Sequence, residues 1–256
     1  MKIIDLNSDL GESFGAWTMG MDEEVMNHIS SSNIACGWHG GDAEVMLRTV
    51  RAAKARGVAI GAHPGYPDML GFGRRNMTCT PDEVYAYILY QVGALMGVCA
   101  SEGVALQHVK PHGAMYNQAA KDIILATAIA RAVKRLGGDM ILMGLACSAF
   151  ETAAKEEGVP FAAEAFADRG YMADGSLAPR NQKGAFIHDP NEAAARMLTL
   201  VREGIVKTHD GQELRLKAHT ICLHGDNPEA LKMAEVIKHT LESNGVAIKN
   251  LREILK

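Results

Sequence analysis

Short apolar runs suited to buried parallel strands alternate with longer segments of helical period along the whole chain, which points to an α/β architecture. The runs predict strands at Ile3–Asn7, Asn33–Cys36, Val58–Ala62, Leu106–Lys110, Met140–Gly144, Phe161–Ala165 and Thr220–Leu223, seven in all. Parallel neighbours need crossover helices, so seven βα units predict an incomplete (β/α)7 TIM-like barrel. At 256 residues the chain has a length that such barrels use as one unit, and a single domain over residues 1–256 is expected.

Helix starts are marked by their capping chemistry. Thr80-Pro-Asp-Glu83 offers a capping hydroxyl, a proline for the first turn and a returning glutamate, followed by the apolar stripe Val84, Ile88, Val92 and Leu95. Asp189-Pro-Asn-Glu192 repeats that pattern, and Asn227-Pro228 opens a third helix. Two Gly-rich stretches, residues 64–75 and 168–183, read as site loops rather than connectors.

The chemistry gathers where the predicted strands end. Asp9 and Glu12 follow the first strand, and His39 and Asp42 the second. His63 follows the third, Lys110 and His112 the fourth, Glu164, Asp168 and Arg169 lie at the sixth, and His224 and Asp226 follow the seventh. In a parallel barrel all the carboxyl ends share one face, so residues far apart in sequence converge there. Arg74, Arg75, Arg169 and Arg180, in the glycine-rich loops, supply forked donors for a carboxylate or phosphate.

Each residue has a plainer reading. Asp42 and Asp226 stand where helix N-caps stand, a lone histidine is often a buried residue bonded to backbone, and Lys110 fits a structural ion pair. Four histidines at equivalent strand ends weaken that reading for His39, His63, His112 and His224, whereas His28, His188, His209 and His239 fall on predicted helices or loops. Histidines beside carboxylates also raise the question of a metal. Asp9, His39, His63 and His112 are the first ligands to suspect, although no H-E-x-x-H or H-x-x-x-H spacing occurs.

Composition narrows the partners. Lys and Arg total 26 against 30 Asp and Glu, without the basic excess of a nucleic-acid binder. The five cysteines are scattered with no C-x-x-C pair, the first residues hold no signal-peptide stretch, and no uninterrupted run of about 18 apolar residues occurs. No membrane partner and a cytoplasmic location are therefore expected.

With those residues in view, the sequence resembles the LamB/YcsF lactam-utilisation family over nearly its whole length. The likeness is carried by Asp5-Leu-Asn-Ser-Asp-Leu-Gly-Glu12, Asn33-Ile-Ala-Cys-Gly-Trp-His39, Ile60-Gly-Ala-His-Pro64 and Gly71-Phe-Gly-Arg-Arg75. It continues through Val109-Lys-Pro-His-Gly-Ala-Met-Tyr-Asn117, Glu164-Ala-Phe-Ala-Asp-Arg-Gly-Tyr171 and His224-Gly-Asp-Asn-Pro228. The resemblance implies a barrel related to the glycoside hydrolase and deacetylase barrels, and ATP-dependent opening of 5-oxoproline to L-glutamate with two partner subunits, B and C. The chain has no G-x-x-x-x-G-K-[ST] phosphate loop, so ATP and its Mg2+ would fall mainly to the partners. For such a reaction Asp9 or Asp168 is expected as base, His39 or His112 as proton donor, and Lys110 with Arg169 as holders of charge. Glu12, His63, Arg75, Arg169, Arg180, His224 and Asp226 are expected to contact substrate. Two other readings stay open: a metal-dependent amidohydrolase or deacetylase without ATP, and a non-catalytic subunit that binds the lactam.

Overall fold

The computed structural model describes residues 1–179, 181–225 and 227–256; Arg180 and Asp226, both expected at the site, lie outside the described residues. The strands are β1 (Lys2–Leu10), β2 (Ser31–Ala35), β3 (Ala59–His63), β4 (Leu106–Val109), β5 (Ile141–Leu145), β6 (Phe161–Phe166), the pair β7 (Ile205–Lys207) and β8 (Glu213–Arg215), β9 (Thr220–Cys222) and β10 (Val246–Ile248). Strands β1 to β6 pair in sequence order, all parallel, and β9 bonds to both β6 and β1. Seven strands thus close the barrel, as the seven apolar runs predict.

Three things differ from expectation. β1 runs on to Leu10, which places Asp9 within the strand and not after it. β10 pairs with Lys2–Ile4 at the amino end of β1, and β7 and β8 form a separate antiparallel ribbon. The helix Pro81–Ser101 has 21 residues and a mean hydropathy of 1.4, long and apolar enough to cross a membrane by those measures. Here it turns Val84, Ile88, Val92 and Leu95 into the core and packs beside the helix Ile123–Leu136. Its capping box is formed as the sequence predicts, with Thr80 Oγ1 accepting from the Glu83 N–H and the Glu83 carboxylate accepting from the Thr80 N–H. Asp42 also caps a helix, Ala43–Arg56, by accepting from the Val45 N–H, so its plainer reading is the observed one.

The barrel axis is filled by hydrogen-bonded polar side chains, where such barrels more often stack branched apolar ones. Asn7 donates to Thr220 Oγ1 (2.7 Å), Asn33 donates to Asn7 Oδ1 (2.7 Å), and His108 Nε2 donates to Asn33 Oδ1 (2.6 Å). One step nearer the amino end, Asp5 accepts from Ser30, Ser31 and Thr220. Gly61 of β3 makes room for this layer, because a Cβ there would run into the His108 ring. Burial of these groups is tolerated only because each is bonded.

Burial raises the folded-state pKa of Asp5 to about 6, against the lowering effect of its three hydroxyl donors. A carboxyl raised on folding contributes stability below its unfolded value, near 4, and loses it as pH climbs through 6. Asp5→Asn is therefore expected to gain stability relative to wild type, by up to about 3 kcal/mol, between pH 4 and pH 7. Denaturant melts of both proteins across that range would test this, and a constant difference between them would refute it.

Candidate active site

The carboxyl ends of the strands open into a cavity of about 510 Å³ lined by Asp9, Glu12, His63, Lys110, His112 and His224, with Arg74 and Arg169 also reaching it. Its floor is Lys110, placed by β4 and buried. The ammonium donates to Asp9 Oδ1 (2.9 Å) and Asn7 Oδ1 (3.3 Å) and forms an ion pair with Glu164 Oε1 (2.8 Å). Tyr116 donates to the other Glu164 oxygen at 2.7 Å, and Asn33 Nδ2 donates to Asp9 Oδ1 at 2.8 Å. Burial opposes charge on both members of the Lys110–Asp9 pair, but their neighbours outweigh it. His63 and Lys110 hold the Asp9 carboxyl well below the usual carboxylate range, while Asp9, Cys222 and Glu164 hold Lys110 well above the usual lysine range. The pair is therefore ionised at neutral pH.

Beside this pair stands a histidine cluster. The His39 and His112 rings are stacked, 3.6 Å between centroids, and His63 meets both edge-on. His63 Nδ1 donates to the Lys110 carbonyl (2.7 Å) and His112 Nε2 to the Phe72 carbonyl (2.8 Å), so backbone fixes the rings. Phe72 and Gly73 both adopt positive φ, and the turn lies so close that a Cβ at Gly73 would sit 2.7 Å from His112 Cδ2 and from His39 Cβ. Burial and neighbouring imidazoles push His39 and His112 well below the ordinary histidine range, so both are neutral. His39 Nε2 lies 3.1 Å from Glu12 Oε1, and burial raises the Glu12 carboxyl. Glu12, His39, His63 and His112 each offer a ligand atom within 4.8 Å of the others, so they could hold a metal ion. Glu12 takes the position in this group that the sequence suggested for Asp9, whose carboxylate turns to Lys110.

Also at the cavity, His224 Nδ1 forms an ion pair with Asp168 Oδ2 at 2.8 Å. Burial disfavours both charges, yet each partner overrides it: Asp168 is held below, and His224 above, its ordinary value. This pair stands between the main cavity and a second one of about 400 Å³ lined in part by Asp168, His188 and Ala230.

Of the expected residues, Asp9, Glu12, His63, Lys110, His112, Arg169 and His224 line the main cavity, His39 packs directly behind it, and Asp168 holds His224. Arg169 also directs donors to the Ala178 and Ala185 carbonyls, tying down the loop that follows β6. Arg75 is not brought to the cavity: its exposed guanidinium is bound to Asp68, and Arg74 faces the cavity in its place. Sequence reasoning gave no role to Tyr116, Asn7 or Asn33. The signal for the two asparagines was available, since polar residues at alternate positions of β1 and β2 share the inward face.

Relatives extend over the full chain. A protein of Bordetella parapertussis that is named as the A subunit of 5-oxoprolinase is 56% identical over 245 residues, covering 96% of this chain and 97% of that one. The crystal structure of a lactam utilization protein from Thermus thermophilus superposes with a TM-score of 0.92 at 47% identity, covering 96% of this chain and 99% of that one. A structure described as "T48 deacetylase with substrate" has a TM-score of 0.53 at 12% identity, covering 99% and 90%, and shares the barrel fold alone. Residues 4–256 match the LamB/YcsF family, and the chain belongs to that family.

Proposed function

We propose that this chain is the component of a 5-oxoprolinase that binds 5-oxoproline and opens its ring to L-glutamate, in the cytoplasm, with ATP and Mg2+ handled mainly by two partner subunits, B and C. The observation that carries this reading is end-to-end likeness to a relative named as the A subunit of 5-oxoprolinase. The cavity supports it: about 510 Å³ suits a small ligand, and Arg74 offers donors to a substrate carboxylate.

A five-membered lactam is an unactivated amide, so its opening needs an activated carbonyl, a water nucleophile and a proton for the leaving nitrogen. ATP would activate the carbonyl. Asp9, ionised and cavity-facing, is the base toward water, and Lys110 holds developing negative charge. The proton donor expected from sequence, His39 or His112, does not suit the geometry. Both rings are neutral and the His112 N–H is committed to Phe72. His224, charged beside Asp168 and lining the cavity, takes that role.

Because His224 must be protonated, kcat/KM is expected to fall as pH rises through its raised pKa. Asp168→Asn removes the charge that raises it, so the alkaline limb should move to lower pH; pH profiles of the assembled enzyme read this, and superimposable limbs would exclude His224 as the acid.

The test of the reading is glutamate release from 5-oxoproline by the purified chain with and without ATP and the two partner subunits. Turnover that needs ATP and all three chains supports it. Turnover by this chain alone without ATP would instead favour a metal-dependent amide hydrolase, the reading that the histidine cluster speaks for. Site variants that weaken binding without lowering kcat at saturation would favour a lactam-binding subunit.

A further inference from the structure

We infer that Glu12, His39, His63 and His112 form a binding site for one divalent cation of the zinc type. Carbonyl oxygens only accept, so the bonds from His63 Nδ1 to the Lys110 carbonyl and from His112 Nε2 to the Phe72 carbonyl fix where each ring carries its proton. With the N–H of each ring so placed, the remaining nitrogens, His63 Nε2 and His112 Nδ1, face one another at 2.9 Å. Two lone pairs at that distance repel unless an electrophile serves both.

The surroundings favour a metal ion in that role. His39 Nε2 and Glu12 Oε1 join the two facing nitrogens within a 4.8 Å span. Zinc bonds of about 2.0–2.1 Å in a tetrahedron put ligand atoms about 3.3–3.4 Å apart. The separations here straddle that value: 2.9 Å for His63 to His112, 3.1 Å for His39 to Glu12 and 3.6 Å for His112 to Glu12. Three imidazoles and one carboxylate are the donor set of a borderline cation, and backbone carbonyls bonded to the outer ring nitrogens are the usual support of metal-bound histidines. The buried Nδ1 of His39 has no hydrogen-bond partner, which leaves that ring's proton free to sit on Nδ1 and its Nε2 free to ligate. Glu12, His63 and His112 all line the cavity, so the ion would face whatever the cavity binds.

The inference stands apart from the lactam reading, because it is tested on metal binding by the chain alone. The full chain, stripped with chelator and gel-filtered, is titrated with Co2+ and Zn2+, with bound metal counted by elemental analysis. One ion per chain is expected, with the visible absorption of tetrahedral Co2+ and a rise in thermal midpoint on loading. The double variant His63→Ala/His112→Ala should lose binding, while Cys147→Ser, at an exposed thiol away from the cluster, should retain it. Glu12→Gln keeps the shape of the side chain and should weaken binding about tenfold or more, which preserves the test if the double variant fails to fold. Absence of binding by the wild-type chain, or binding unchanged in Glu12→Gln and in a folded double variant, would overturn the inference. A hydrogen bond between the two rings would then account for their 2.9 Å approach.

Discussion

Lys110→Met is expected to lower kcat in the assembled enzyme by at least about a hundredfold and to destabilise the chain by about 3–5 kcal/mol. The two effects share one cause. Lys110 is the cation between Asp9 and Glu164, and Glu164 is fully buried. Methionine fills much of the same volume, so the loss isolates the charge. Among the described residues it leaves Glu164 with the Tyr116 hydroxyl and Asp9 with Asn33 and His63. Removing one partner of a buried pair costs more than the pair contributes net, since the remaining charge stays out of water. Denaturant unfolding reads the stability term. The second substitution Glu164→Gln in the same chain should recover a sizeable part of it, because the two sites are coupled. An unchanged unfolding midpoint in Lys110→Met would show that the pair is not the anchor of the barrel floor.

Gly61→Ala should be nearly as damaging, at about 3 kcal/mol or more, although it adds one methyl group. Overpacking a filled core usually costs about 1–3 kcal/mol, and here the atom displaced is the ring of His108, whose Nε2 holds Asn33 Oδ1. Displacement breaks a bond in a layer whose members support one another, so the cost exceeds that of steric strain alone. His108→Ala should relieve the clash, making the double variant more stable than the sum of the two single losses predicts. Additive losses would mean that the ring yields without disturbing the layer.

The barrel could be read from sequence because its strands are buried on both faces and stand out as apolar runs. Convergence at the strand ends then followed from topology alone, and it brought Asp9, His63, Lys110 and His112 together. What escaped was decided by backbone detail. β7, β8 and β10 have three residues each and, unlike the equally short β9, are not fully buried, so they do not stand out as core-strand runs. Whether Arg74 or Arg75 faces the cavity depends on the left-handed turn at Phe72 and Gly73, which composition does not reveal. Tyr116 joins the site through Glu164 from the helix Gly113–Ala119, a contact set by how that helix packs beside Ile123–Leu136 and brings the Tyr116 ring to Phe166. The choice of His224 over His39 or His112 as the charged imidazole depends on burial and on the Asp168 contact, neither of which spacing encodes.

Closure of the barrel by β9 fixes the order in which a nascent chain can mature. Asp5 and Asn7 have their Thr220 partner more than two hundred residues downstream. On a ribosome adding about 5–20 residues per second, the early strands wait on the order of ten seconds or longer for that partner to emerge. Throughout that interval β1 and β6 present open edges, and the polar layer they will enclose is still wet. Contacts of such long range also make closure a slow step in refolding. The cavity therefore cannot exist before β9 emerges, and a chain halted before residue 220 carries most of the site residues but no site.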